Sequence, residues 1–276
     1  MKTSNVKTLM CIMFLCSFSL AAFTQFIKRP LPKSKHEIVV IAHRGSHLVK
    51  PENTIASIKD AIAIGADYVE IDLRTTRDGH LVLLHNETVD QVTNGHGRIE
   101  DLDFKAVRKL ILKGRDSSEH HIATFKEALG VCKGKINIYL DFKSASVKDT
   151  YTAIKAAGME EQVLVYVNGG DHYQEWRKIA PELPLISALD KTISTKKHCL
   201  ASMERMPLEA IDKVPVLDLF SVLRELGVSV FLDVQNSSES ENDWSTALKK
   251  GIQGLQTDHP EALIEYLKRN KLRSIL

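Results

Sequence analysis

From about residue 36 onward the chain alternates two kinds of apolar pattern. Short, largely β-branched runs read as strands: Glu37–Ala42, Tyr68–Leu73, Leu81–Leu84, Ile136–Phe142, Val163–Val167, Leu185–Ala188, Val228–Val234 and a short Gly254–Thr257. Between them, apolar positions recur at helical spacing over Thr54–Ile64, Thr124–Val131, Val147–Ala157, His172–Ile179, Leu217–Leu226, Asp243–Lys250 and Pro260–Lys268. Strands that alternate with helices imply βαβ units and a parallel sheet. Near-continuous apolar strands such as EIVVIA suit a sheet covered on both faces. About eight such units in roughly 250 residues is the size of a (β/α)8 TIM barrel, the α/β class expected here. A doubly wound open sheet is the alternative, but no Gly-x-Gly-x-x-Gly follows the first strand. Two stretches break the rhythm. Residues 186–216 leave the sixth unit weakly defined, and residues 86–123 read as a small inserted loop or cap over the barrel mouth, following the second-strand region.

The start of the chain does not belong to this pattern. Lys2 and Lys7 precede an apolar run from Leu9 to about Phe23 that ends near Ala21 and Ala22. That is the build of a secretory signal peptide over residues 1–24, with cleavage between Ala22 and Gln25. The run is shorter than the roughly 20 residues of a membrane-spanning helix. The expectation is an exported protein, periplasmic or secreted, whose mature domain is 25–276. An uncleaved anchor is the alternative.

Composition then narrows the class. The chain has 276 residues, 43% hydrophobic and 26% charged, which fits an ordinary globular domain and excludes a disordered chain. Lys2 and Lys7 account for the whole formal net charge of +2, so the mature chain is neutral and carries no electrostatic footprint for nucleic acid. Outside the leader only Cys132 and Cys199 remain. They either pair in an oxidising compartment or stay as two buried thiols.

In a barrel of this type the chemistry sits at the C-terminal ends of the strands. The first strand ends in His43-Arg44-Gly45, the second carries Glu70-Ile71-Asp72, and the run at 81–84 ends in His85. The strand near 140 carries Asp141-Phe142-Lys143, and the last ends in Thr257-Asp258-His259-Pro260. Residues two apart on a strand share a face, so Glu70 and Asp72 point together, as do Asp141 and Lys143. Carboxylates gathered inside a barrel repel and lose hydration, and a hard divalent cation such as Ca²⁺ or Mg²⁺ is the simple compensation. On the other reading, Tyr68, Glu70 and Asp72 form a wet face and no ion is needed. His43 and His85 can serve as proton acceptor and donor near neutral pH. Arg44 and Lys143 are donors suited to a phosphate oxyanion.

Taken together, His43-Arg44-Gly45, Pro51-Glu52-Asn53-Thr54, Glu70-Ile71-Asp72, His85, Leu140-Asp141-Phe142-Lys143 and Thr257-Asp258-His259-Pro260 resemble the glycerophosphodiester phosphodiesterase family. The resemblance runs from about His36 to Leu267. It implies a (β/α)8 barrel that cleaves glycerophosphodiesters to glycerol 3-phosphate and an alcohol. It implies one divalent cation, Ca²⁺ or Mg²⁺, on Glu70, Asp72 and Asp141. It further implies His43 and His85 as general base and acid, with Arg44 and Lys143 on the phosphate. In the family the substrate's own 2-hydroxyl is thought to be the nucleophile. Glu52 and Asn53 either line the metal site or shape the turn, with Asn53 expected as a helix N-cap.

Three departures stand out. Asn86 follows the second histidine where the family usually has Asp. Asp141 stands where bacterial members commonly have Glu. The seventh-strand segment reads Leu232-Asp233-Val234-Gln235-Asn236 in place of a Trp-Thr-x-Asn stretch, so an aromatic substrate wall is not expected there. That last change keeps open a phospholipase D-like or phosphoinositide-cleaving enzyme with a lipid-surface contact. A barrel that binds phosphodiesters without turnover is the reading from outside the enzymes, and the acid/base pair argues against it. The expected partner is a small phosphodiester. Oligomeric state is not legible.

Overall fold

Strand β1 (Val39–Ala42) is flanked by β2 (Tyr68–Thr75) on one side and by the last strand, β9 (Gly254–Thr257), on the other, both parallel to it. That double pairing closes the sheet. From β2 the order continues through β4 (Asn137–Ser144), β5 (Val163–Tyr166), β6 (Leu185–Ser187), β7 (Ala210–Ile211) and β8 (Ser229–Asp233) back to β9. Every neighbouring pair in that ring is parallel, and helices lie between strands, so the expected eight-stranded α/β barrel is the observed one. The computed structural model describes residues 29–236 and 238–274; the leader assignment at 1–24 lies outside the described residues.

Two parts of the expected strand pattern need correction. The run at 81–84 is not a barrel strand. As β3 (Leu81–Leu83) it pairs antiparallel with the end of β2, Thr75 against Leu81 and Leu73 against Leu83. The missing barrel strand is β7, in the stretch the pattern left unread, preceded by helix α6 (Lys196–Arg205). Both are physically quiet in sequence. β7 has two residues, too few to show alternation, and α6 buries only Cys199 and Met203 along an otherwise polar surface.

The helices start where local chemistry supplies caps. Thr54 caps α1 (Ile55–Ala63) in a box with Ser57, and Thr124 caps α3 (Phe125–Cys132) in a box with Glu127. Ser146 opens α4 (Val147–Ala157), and Gly158 closes it in the left-handed conformation at φ 62. Pro260 sits in the first turn of α9 (Pro260–Arg269), where its missing N–H costs nothing. Cys132 and Cys199 are both buried free thiols, which settles that alternative against a disulfide.

Alternate residues of each strand divide between two cores. Val40, Ala42, Val69, Ile71, Ile138, Leu140 and Phe142 face outward and pack under the helices, with Trp176 buried among them. Val39, Ile41, Tyr68, Tyr139, Leu164, Ile186, Ala210 and Phe231 fill the barrel's lower interior. The register pairs Ile41 with Tyr68, Glu70 with Tyr139, and Asp72 with Asp141. Glu70, Asp72 and Asp141 therefore continue the inward-facing row above the tyrosines, which excludes the wet-face reading of Glu70 and Asp72. A third small core of Val82, Leu84, Val89, Ile99, Val107, Leu112 and Ile122 lies under residues 86–123, which hold helix α2 (Phe104–Val107).

Buried carboxylates at the other end of the barrel are held by several donors each. Asp67 accepts from Ser34 Oγ, His36 Nδ1, Val40 N and Arg273 Nη1. Glu209 accepts from Arg177 and from Leu185 N. Carboxylates satisfied in this way are part of the scaffold.

Candidate active site

At the barrel mouth the balance is different. Glu70 and Asp72 are 2% and 1% exposed, and one oxygen from each of Glu70, Asp72 and Asp141 lies within 4.8 Å of the other two. Burial, with the charges of Asp72 and Asp141, lifts Glu70 well above the ordinary carboxylate range, against one backbone hydrogen bond from Arg44 N at 2.7 Å. Burial and the Asp72 charge raise Asp141 as well. Three hard oxygen donors converge with too little positive charge to balance them, so the residues present fit a divalent cation.

The cations in the cluster are interleaved with these acids. Lys143 Nζ stands 2.5 Å from Asp141 Oδ2 and 3.2 Å from Asp72 Oδ1. Burial alone would lower its pKa, but the two aspartates outweigh that and raise it, so Lys143 stays charged. Arg44 Nη1 donates to both oxygens of Glu52, at 3.0 Å each, and Arg44 Nε is buried without a hydrogen-bond partner, 3.6 Å from Asp72 Oδ2. This geometry rests on backbone at the end of β1. Arg44 takes φ 50, and Gly45 takes φ 84, where a Cβ would also overlap the Ser57 hydroxyl.

Asn53 does not cap the helix; Thr54 does, because its hydroxyl reaches the Ser57 N–H. Asn53, at φ 57, faces the site instead. Its Nδ2 donates to Asp72 Oδ2 at 2.7 Å, and its Oδ1 accepts from Asp72 N at 3.0 Å. Glu52 is the acceptor for Arg44 and supplies no oxygen to the acidic triad.

The two histidines are held alike by unlike partners. His43 Nδ1 donates to Asp258 Oδ1 at 2.6 Å. A carboxylate can only accept, so this bond fixes the Nδ1–H tautomer and leaves Nε2 open. Burial would raise Asp258, but the hydrogen bond from His43 and the nearby His43, His47 and Arg44 outweigh it, and the pKa falls. Asp258 is itself fastened by its N–H to Glu239, at 3.2 Å. His85 Nδ1 meets Asn86 Oδ1 at 2.7 Å, so the Asn86 amide accepts where a carboxylate would otherwise stand. Because β3 runs back along β2, Leu84 N bonds to Asp72 O at 3.1 Å, and His85 follows directly, its carbonyl gripped by Arg74 at 2.8 and 3.0 Å. An antiparallel excursion thus delivers His85 to the mouth beside Asp72.

In the opposite half of the mouth stand Asp212, which the sequence pattern does not reveal, and Asp233, from the 232–236 segment. Asp212 follows β7 and shares the inward row with Ala210; Asp233 ends β8 in register with Gln256. Asp212 is 6% exposed, receives one long hydrogen bond from Tyr139 Oη at 3.4 Å, and burial lifts it to about 7. Tyr166 is the aromatic side chain in register with Asp141, and no tryptophan stands at position 233. Nothing in the sequence flagged Asp212, because its strand was not recognised. Asp258 was visible in the closing motif, yet only the structure pairs it with His43.

A closed parallel barrel with buried carboxylates, two cations and two oriented histidines at its C-terminal mouth has the build of a TIM-barrel enzyme acting on an anionic substrate. Residues 43–262 match the glycerophosphoryl diester phosphodiesterase family. A glycerophosphodiester phosphodiesterase from Caldanaerobacter subterraneus subsp. tengcongensis is 32% identical over 243 residues, 84% of this chain and 98% of that protein. Human glycerophosphodiester phosphodiesterase 1 is 40% identical over 134 residues, 46% of this chain and 40% of that protein. Among solved structures, an Oleispira antarctica phosphodiesterase in complex with the product sn-glycerol-3-phosphate superposes with a TM-score of 0.73 at 21% identity, covering 83% of this chain and 96% of that one. The chain belongs to the glycerophosphoryl diester phosphodiesterase family and is a phosphoric diester hydrolase.

Proposed function

We propose that the protein hydrolyses small glycerophosphodiesters to glycerol 3-phosphate and an alcohol, with one Ca²⁺ or Mg²⁺ held by Glu70, Asp72 and Asp141. The observation that carries this reading is the acidic triad itself, buried and undercompensated, with Arg44 and Lys143 set among its members. A bound cation would supply Lewis-acid stabilisation of the negative charge that builds on the phosphoryl oxygens. Arg44 and Lys143 add positive charge for the diester and its more charged transition state. Both are preorganised by carboxylates, so neither has to be ordered when substrate arrives.

His43 takes the proton from the attacking hydroxyl on Nε2, and Asp258 balances the charge that appears on the ring. His85 gives a proton to the leaving oxygen, its ring aimed by Asn86. The attacking group is the diester's own 2-hydroxyl, as in the family, and water then opens the cyclic phosphate.

The leader at 1–24 would place this activity outside the cytoplasm, where glycerophosphodiesters would be met as phospholipid breakdown products. A lipid substrate is the second reading. It is favoured by Leu48 and Val49, 42% and 56% exposed on a rim they share with Lys113 and Arg115. The test is release of glycerol 3-phosphate from glycerophosphocholine and glycerophosphoethanolamine by the mature chain, with Ca²⁺ or Mg²⁺ and with chelator. Metal-dependent release supports the proposal. A folded protein that acts only on phospholipid vesicles would replace it with the second reading.

A further inference from the structure

His47 Nδ1 lies 2.8 Å from the carbonyl of His43 and 3.3 Å from that of Gly45. Carbonyls only accept, so Nδ1 carries a proton, and in the neutral ring Nε2 presents a lone pair. Nε2 stands 3.6 Å from Asp258 Oδ1, and the His43 and His47 rings lie 5.8 Å apart at 81° to each other. With His47 neutral, two acceptors therefore face each other across a gap that a cation could bridge. One ligand atom from each of His43, Asp258 and His47 lies within 4.8 Å of the other two, and their side chains are 12%, 27% and 19% exposed, so solutes reach them.

We infer that His43, His47 and Asp258 form a second cation site, chemically distinct from the acidic triad, that takes a borderline transition ion such as Zn²⁺ and shuts the enzyme off. Two imidazole nitrogens and one carboxylate oxygen are a donor set for Zn²⁺ and not for Ca²⁺ or Mg²⁺, which prefer oxygens. Tetrahedral ligands at about 2.0–2.2 Å stand about 3.4 Å from one another, so the His47–Asp258 separation of 3.6 Å is already close and the 2.6 Å His43–Asp258 contact has to open by about 0.8 Å. For His43 to ligate, the proton on Nδ1 must leave it and settle on Nε2. No net proton is released, but Nε2 loses the lone pair that accepts the substrate proton. The inhibitory consequence rests on the role of His43 proposed above; the binding does not.

The test saturates the full chain with Mg²⁺ and titrates it with Co²⁺, a spectroscopic substitute for Zn²⁺. Expected are visible absorption bands saturating at one Co²⁺ per chain, with a midpoint raised at least tenfold in His47→Gln and unchanged in Glu70→Gln. Zn²⁺ inhibition of diester hydrolysis should follow the same midpoint. His47→Gln, compared with its own zinc-free Mg²⁺-supported rate, should need at least tenfold more Zn²⁺ to lose half of it. Absent bands, bands indifferent to His47→Gln, or bands lost in Glu70→Gln would each overturn the site. Absence of hydrolysis under every condition would refute the proposed function instead, and the Co²⁺ titration would still decide the binding.

Discussion

Asn53 and Asp72 hold each other twice: Nδ2 to Oδ2 at 2.7 Å, and Asp72 N to Oδ1 at 3.0 Å. Asn53 does so from a left-handed backbone at φ 57, a conformation that costs a non-glycine residue about 1–3 kcal/mol and that Asn tolerates better than most. A carboxylate gripped in this way presents its remaining lone pairs in one fixed direction. Partners of metal-ligating groups typically matter by about 10–100-fold in affinity or activity. Asn53→Gly keeps the backbone relaxed and removes the grip. The expected result is a metal activation constant raised by about tenfold or more, with fold and thermal midpoint little changed. Activation curves against Mg²⁺ for the two proteins measure it, and superimposable curves would refute the role.

The histidines give a second prediction. His43→Ala and His85→Ala should each lower turnover at least about a hundredfold while circular dichroism stays native, because positioned acid/base groups contribute about that much. Asp258→Asn tests the tautomer separately. An amide can donate to Nδ1 and turn the lone pair away from the reaction, so a loss of about 10²–10⁴-fold is expected. A near-wild-type rate in any of the three would remove that residue from the mechanism.

Glu70 links function to stability. In the metal-free chain its carboxylate is buried beside Asp72 and Asp141, and its pKa is raised. The folded state then holds a proton that the unfolded chain releases. That contribution is complete below the ordinary glutamate range and is lost as pH rises through the folded value. Glu70→Gln should therefore abolish metal-dependent turnover and raise the thermal midpoint in chelator at pH 8 by a few degrees. With saturating metal the wild type should regain the difference. An active variant in chelator would contradict the metal site, and a lower midpoint in chelator would contradict the electrostatic argument.

Much of the site is legible in the amino-acid sequence. Paired positions such as Glu70/Asp72 and Asp141/Lys143 announce a shared face because side-chain alternation along a strand is rigid. Helical spacing gives Val147–Ala157, the bounds of α4, and the structure adds Ser146 and Gly158 as its caps. What could not be read depends on contacts distant in sequence. β7 has two residues and no pattern of its own. β3 carries the apolar signature of a barrel strand, and only its antiparallel pairing with β2 sets it apart. Asn53 sits where an N-cap is expected, and nothing local says that its amide turns 19 residues along the chain to Asp72.

Asp212 supplies the last test, and it needs no substrate. Burial inside the barrel mouth lifts it to about 7, with Asp233 adding to the shift and Lys213 opposing it. An unfolded aspartate titrates near 3.9, so the folded protein holds one extra proton between about pH 4 and pH 7. Stability from this group is therefore full below about pH 4 and falls as pH rises to about 7, by at most about 4 kcal/mol at roughly 1.4 kcal/mol per unit. Asp212→Asn keeps the shape and an acceptor for Tyr139 Oη while removing the titration. In urea unfolding, the wild type should lose stability relative to the variant between pH 4.5 and pH 7.5, with the change centred in that interval. Parallel stability curves would show that water or a neighbouring cation already compensates the Asp212 charge, and the barrel's far half would then carry no buried proton.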